Sequence, residues 1–264
     1  FAFVLPLVVL WFAVFVLLTS IVVIAGVEKG IEKASRILMP VLIVLTLGIS
    51  VFCITRPGAG AGVKYYLLPD FSRFSATTVL AAMGQLFYSM SLAMGIMITY
   101  GSYMKKDNSL EKSVRQIEIF DSGIAFLAGL MIIPSVFVFS GGNEEALSKG
   151  PSLMFITLPK VFDNMTLGGL IGAVFFLLVL FAALTSSISL METNVSIIRD
   201  KLGWSRRKTT IVVTIYVLLL GALVSLGFGP LDFVQIIGLG LLDFFDFLSN
   251  SVLMPIVAIL TCIS

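Results

Sequence analysis

The chain has no histidine, only two cysteines and few charges, and each shortage removes a class of function. Without imidazole there is no ordinary zinc or haem ligand set and no His-based general acid or base. Cys53 and Cys262 lie far apart, in or beside apolar runs, so they read as small membrane hydrophobes rather than a disulfide framework. Charged residues make up 12% of the 264 residues, where a soluble domain carries about a quarter. The formal net charge of +2 is too small to mark a nucleic-acid surface.

What the chain has in quantity is hydrocarbon. Apolar residues are 58% of it and the mean hydropathy is +1.10. Apolar runs of about 20 residues recur along the whole length, which is the length of a membrane-crossing helix. The fold class expected is therefore an all-α integral membrane protein in a lipid bilayer. Both ends fall inside apolar runs, as expected of a piece of a longer protein.

The pattern gives about seven spans. They cover Phe1–Val27, Ile37–Thr55, Val79–Met104, Ile117–Ser140, Leu167–Ile198, Thr209–Leu226 and Leu239–Ile263. Pro40 falls in the first turn of the second span, where a missing N–H does no harm. Pro134 lies inside the fourth. The connection from Arg56 to Phe71 reads as a loop rich in glycine and turn residues. A long connection, Gly141–Thr166, holds helical stretches of its own and is either a lid or a plain surface loop. Lysine and arginine concentrate in alternate loops, near 28–36, 105–116 and 199–208. By the positive-inside rule those loops face the cytoplasm of a multi-pass protein of the cell (inner) membrane.

Polar residues at mid-span narrow the function. The third span reads Tyr88-Ser89-Met90-Ser91-Leu92-Ala93-Met94-Gly95 at its centre, where an anchor carries leucines. An unpaired polar group in hydrocarbon costs several kcal/mol, so such atoms face a cavity or another helix. One reading is close helix packing through small residues. The other is a broken helix whose freed backbone and hydroxyls serve as ligands. In the fifth span Ala182, Thr185, Ser186 and Ser189 recur at helical spacing and share one face. Hydroxyl and carbonyl oxygens are hard neutral ligands suited to a dehydrated alkali cation. A hydroxyl stripe that bonds back to its own helix explains the same spacing. Asp121, Glu192, Asp243 and Asp246 fall in or near apolar spans, each a functional candidate because a mid-membrane charge costs about 2.5–3.5 kcal/mol. Glu192 is either such a mid-membrane charge or sits at the cytoplasmic end of its span, close to Arg199, and Asp121 stands near the start of its own.

These residues resemble a known family. The runs Gly84–Leu92 and Ile98–Tyr103 look like the sixth helix of the neurotransmitter:sodium symporters, and Ala183–Ser189 looks like the eighth. Phe155-Ile156-Thr157-Leu158-Pro159 is similar to the extracellular lid, and Gly30-Ile31-Glu32-Lys33 with Met39-Pro40 to the turn between the fourth and fifth helices. The resemblance runs nearly end to end and is nearest the bacterial sodium-dependent amino-acid transporters. It implies an inverted-repeat secondary transporter fold with a discontinuous helix. The chain then covers family helices four to ten. Residues 1–78 hold helices four and five with an extracellular loop, and 79–264 hold the second repeat with its lid at 141–166. The remaining helices of the full-length transporter are implied partners, and the fragment is not expected to transport alone.

The same resemblance assigns roles. Ala182 (through its carbonyl), Thr185 and Ser186 match one sodium site, and Ser89 matches a ligand of a second that also touches the substrate carboxylate. Asp121 is either a sodium ligand or a built-in negative charge. Tyr88 matches an aromatic lid over the substrate. Ser91, Met94, Ser186 and Leu190 match the substrate pocket, and flexible Met94 and Leu190 fit a sizeable hydrophobic amino acid. Gln85 and Asp246 match an extracellular gate. Ala93 departs from the pattern, which often has glycine there, and so leaves the extent of unwinding open. The implied activity is sodium-coupled amino-acid symport with Na+ at two sites. A proton-coupled or uncoupled carrier of the same architecture is the alternative, with Asp121 and Glu192 as relays. An intramembrane aspartyl protease fits poorly, since Gly238-Leu239-Gly240 is followed by two leucines rather than by aspartate.

Overall fold

The structure, a computed structural model, describes residues 4–105, 107–140, 153–163 and 167–263. Among them no strand forms, and one isolated bridge pairs Ile236 with Leu239. Eleven α-helices follow one another: α1 Val4–Ile24, α2 Lys33–Ile54, α3 Ala59–Leu67, α4 Ala76–Ser89, α5 Ile96–Tyr103, α6 Leu110–Ser140, α7 Leu158–Asp163, α8 Gly168–Leu202, α9 Arg206–Leu226, α10 Leu241–Asp246 and α11 Met254–Ile263. Widened π-type segments lead into α2 (Val27–Glu32) and α7 (Leu153–Thr157) and join α10 to α11 (Phe247–Leu253).

Among the described residues, six continuous helices are long and apolar enough to cross a membrane: Leu7–Ile24, Val27–Ile54, Leu110–Val138, Gly168–Leu202, Arg206–Leu226 and Leu241–Ile263. The other expected span is present but divided between α4 and α5, and neither piece is long enough alone. At 1.5 Å per residue α8 is about 52 Å long, well beyond the ~30 Å hydrocarbon layer. Its last turn accordingly carries Arg199 and Lys201. Side chains such as Trp11, Val44 and Leu219 are two-thirds exposed. Lipid suits such surfaces and water does not.

Three readings need correction. The helix leading into α2 starts at Val27, so Pro40 lies in a helix interior rather than a first turn. The run after Arg56 contains a helix, α3, which packs through Gly62 so closely that a Cβ there would lie 2.6 Å from Pro134 Cα. Finally, α6 starts at Leu110, seven residues before the expected Ile117, which puts Asp121 about three turns inside it. Most of the expected lid at 141–166 lies outside the described residues; of its described part, Leu153–Asp163 is helical.

The chain forms two compact units. One comprises residues 36–76 and 109–183. Its core joins Ile49 and Cys53 of α2, Met131 and Val136 of α6, Leu158 and Phe162 of α7, and Phe175 and Leu178 of α8. The other comprises residues 1–35, 77–108 and 184–264. There Val16 and Val23 of α1 pack with Ile188, Met191 and Val195 of α8 and Val213 of α9. Hydroxyls cross-link the same three helices. Thr19 lies 3.0 Å from Ser187, and Ser20 lies 2.7 Å from Thr214. This second unit carries nearly all of the candidate site.

Candidate functional site

The third span breaks where its polar residues cluster. After α4 ends at Ser89, the Ser91 N–H reaches Tyr88 O at 3.1 Å and the Leu92 N–H reaches Phe87 O at 2.9 Å. This bond pair is the Schellman cap, with Ser91 where glycine is usual. Ser91, Ala93 and Gly95 all take positive φ, at 55°, 61° and 76°. For a residue with a Cβ that conformation costs about 1–2 kcal/mol. Ala93 therefore does not prevent the unwinding. The regular ladder resumes with Thr99 N–H on Gly95 O at 2.9 Å, and α5 begins.

Two half-helices thus face their ends toward one short irregular segment. The α5 N-terminus offers N–H groups and the positive end of the helix dipole, which favour an anion. Tyr88 and Ser89 stand in the last turn of α4, and Ser91 and Met94 in the break itself. Tyr88 is half exposed, and Gln85 and Ser89 are exposed, so these side chains are not sealed into a core.

On α8 the hydroxyl run divides by direction. Ser187 turns toward α1 and meets Thr19. Ser189 turns toward α5, where its Oγ lies 2.8 Å from Tyr100 Oη, and it bonds back to Thr185 O at 3.1 Å. On the same helix Ala182 and Thr185 are half-buried, and Ser186 and Leu190 are exposed. Ser189 shares their face by spacing, and its hydroxyl is engaged both by Tyr100 of α5 and by Thr185 O of its own helix. Thr185 and Ser186 carry the other hydroxyls of that face.

A buried ionic cluster lies three residues further along both helices. Glu192 is fully buried. It accepts from Tyr103 Oη at 2.7 Å and from Arg206 Nη1 at 3.0 Å, and Arg206 Nη2 completes a two-pronged contact. Arg206 Nε also donates to Val23 O at 2.7 Å, tying α9 to α1. Glu192 pairs with Arg206 rather than with its sequence neighbour Arg199, which instead contacts Asp200. Sequence reasoning missed Tyr103 and Arg206 as site-bordering groups. Arg206 opens a run with Arg207 and Lys208 that is indistinguishable from ordinary membrane-flanking charge.

The remaining candidates sit elsewhere. Asp121 is on α6, in the other compact unit. Asp246 ends α10 and accepts from Asn250 Nδ2 at 2.6 Å, in the π-type segment that follows. Gln85 is on α4, one turn before Ser89.

A profile of the Sodium:neurotransmitter symporter family matches residues 6–264. The chain belongs to that family. Among symporter relatives, it is 36% identical over 94% of its length to a sodium-dependent transporter of Bacillus subtilis, covering 54% of that protein. It is 28% identical over 72% of its length to the sodium- and chloride-dependent glycine transporter 2 of Xenopus laevis, covering 25% of it. The crystal structure of MhsT in complex with L-phenylalanine superposes with a TM-score of 0.83 at 39% identity, over 95% of this chain and 56% of that one. The chain spans about half the length of the curated bacterial and archaeal relatives it matches. Its relatives are transporters, so the polar cluster belongs to a transport fold and not to an enzyme.

Proposed function

We propose that this chain is the segment of a sodium-coupled amino-acid symporter that contributes about half of a midplane binding site. The observation that carries the reading is the break from Met90 to Gly95, held beside the hydroxyl face of α8. A helix interrupted in hydrocarbon by left-handed residues is costly unless the freed groups are used.

In this reading Ala182 O, Thr185 Oγ1 and Ser186 Oγ hold one sodium ion. Ser89 helps to hold another, which shares the substrate's carboxylate. Asp121 contributes a sodium ligand or a compensating charge. Because both cation and carboxylate need the same segment, neither binds well without the other, and that mutual dependence is the coupling. Tyr88 covers the substrate, while Ser91, Met94, Ser186 and Leu190 line its side-chain pocket. Met94 and Leu190 are apolar and adaptable, which favours a hydrophobic amino acid; that MhsT was solved with L-phenylalanine supports the same class. Gln85 and Asp246 form part of a gate toward the outside. The loops near 28–36, 105–116 and 199–208 face the cytoplasm, and the helices missing from this chain complete the shell. The division into 1–78 and 79–264, the latter as one repeat, belongs to this proposal.

Uptake by the complete transporter in proteoliposomes tests it. Replacing external sodium with choline should abolish uptake of a hydrophobic amino acid. Uptake indifferent to that replacement, with a steep pH optimum instead, would move the assignment to a proton-coupled carrier.

A further inference from the structure

Tyr100 and Ser189 have no role in the site just proposed, yet they join its two halves. The Ser189 hydroxyl has one hydrogen, and it is directed at Thr185 O, 3.1 Å away. Either hydroxyl can donate in the 2.8 Å contact with Tyr100, and with the Ser189 hydrogen on Thr185 O the tyrosine is the donor. The result is a one-way chain: Tyr100 O–H to Ser189 O–H to Thr185 C=O. Each bond in such a chain polarises the next.

The end of the chain matters most. The Thr185 carbonyl belongs to the peptide unit that joins Thr185 to Ser186. It already accepts the ordinary helical N–H of residue 189. The serine hydroxyl takes its second lone pair. That carbonyl is thereby withdrawn as an ion ligand, and the plane from which both candidate sodium hydroxyls project is held in place.

The start of the chain is on the half-helix that follows the break. Tyr100 is five residues past Gly95, the residue that caps α5. A second contact, Tyr103 to Glu192, repeats the first with the same sequence separation of 89. The two helices consequently run parallel and in register here, with the tyrosine rings 6.4 Å apart. A slide of α5 along α8 breaks both contacts together.

We infer that Tyr100 and Ser189 are positioning residues that tune the sodium affinity of Thr185 and Ser186 to the placement of α5. This rests on the sodium reading of that face. The competing explanation is plain interhelical polar adhesion, which lowers stability when lost but leaves ion affinity unchanged.

The test needs no organic substrate. The melting temperature of the complete transporter in detergent is followed while sodium chloride replaces choline chloride at fixed ionic strength. Wild type should gain stability with sodium, and Thr185→Ala combined with Ser186→Ala should lose most of that gain. Tyr100→Phe and Ser189→Ala should each shift the sodium midpoint upward by about 5–10-fold. The double variant should shift it no further, since both cut one chain. Ser189→Thr, which keeps a hydroxyl, should restore the wild-type midpoint. A wild-type midpoint in Tyr100→Phe, with only a lower melting temperature, overturns the inference and leaves the sodium site intact. Absence of any sodium effect on wild type overturns the sodium reading itself.

Discussion

Arg206 grips the buried Glu192 carboxylate with both terminal guanidinium nitrogens, one of them 3.0 Å from Oε1. The two residues lie on successive helices, and Arg206 reaches past the carboxylate to Val23 O. Tyr103 Oη supplies the remaining donor from α5. The buried charge is thus met by three donor atoms from two side chains.

Breaking this pair from one side should be far worse than removing it. Glu192→Ala or Arg206→Ala strands a charge and should cost about 3–5 kcal/mol. Glu192→Met with Arg206→Met should recover most of that loss. Arg206→Lys should behave like a loss, because an ammonium cannot bond both carboxylate oxygens and Val23 O in the planar fork. Thermal unfolding of the complete transporter in detergent distinguishes these cases. A double variant no better than the singles would show that the pair itself stabilises.

The break should respond to backbone freedom in opposite ways at neighbouring positions. Ala93 occupies φ 61° with a Cβ. Ala93→Gly should therefore stabilise the broken form by about 1 kcal/mol. Gly95 has φ 76°, and a Cβ there lies 3.1 Å from Thr193 Cγ2. Gly95→Val combines left-handed strain with that contact and should cost about 1–3 kcal/mol. Melting temperatures that move the same way for both would contradict the left-handed geometry.

The hydroxyl cross-links on the far side of α8 should act as modest adhesive. Double-mutant cycles on Thr19→Val with Ser187→Ala, and on Ser20→Ala with Thr214→Val, should give couplings near the membrane average of about 0.6 kcal/mol. Urea unfolding in mixed micelles measures them. A coupling indistinguishable from zero in both would mean that α1, α8 and α9 cohere by apolar packing alone.

Much of this was legible in sequence because hydrocarbon imposes simple rules. Spans follow from apolar length, whereas the hydroxyls and glycine between Ser89 and Gly95 mark the stretch as unusual and fit close packing and a broken helix equally well. The shared face of Ala182, Thr185 and Ser186 follows from helical spacing. What stayed hidden depended on partners. Ser187 and Ser189 look alike in sequence, but one faces Thr19 and the other Tyr100, and spacing carries no information about which neighbour each meets. Arg206 reads as one of several flanking cations until the fold brings it to Glu192. The helix α3 lies in a segment rich in glycine, and one of those glycines, Gly62, serves close packing on Pro134 rather than a turn.

The interruption between α4 and α5 arises without proline, and two of its three left-handed positions carry side chains that oppose that geometry. Left to itself, the stretch from Gly84 to Tyr103 has every local reason to run as one straight helix. Its shape is therefore imposed by neighbours, through Tyr100, Tyr103 and the packing of Gly95 against Thr193. Transplanting the motif into another apolar helix would carry over its letters without its bend. The bend is a property of the grip on either side, and the segment's own letters serve the site.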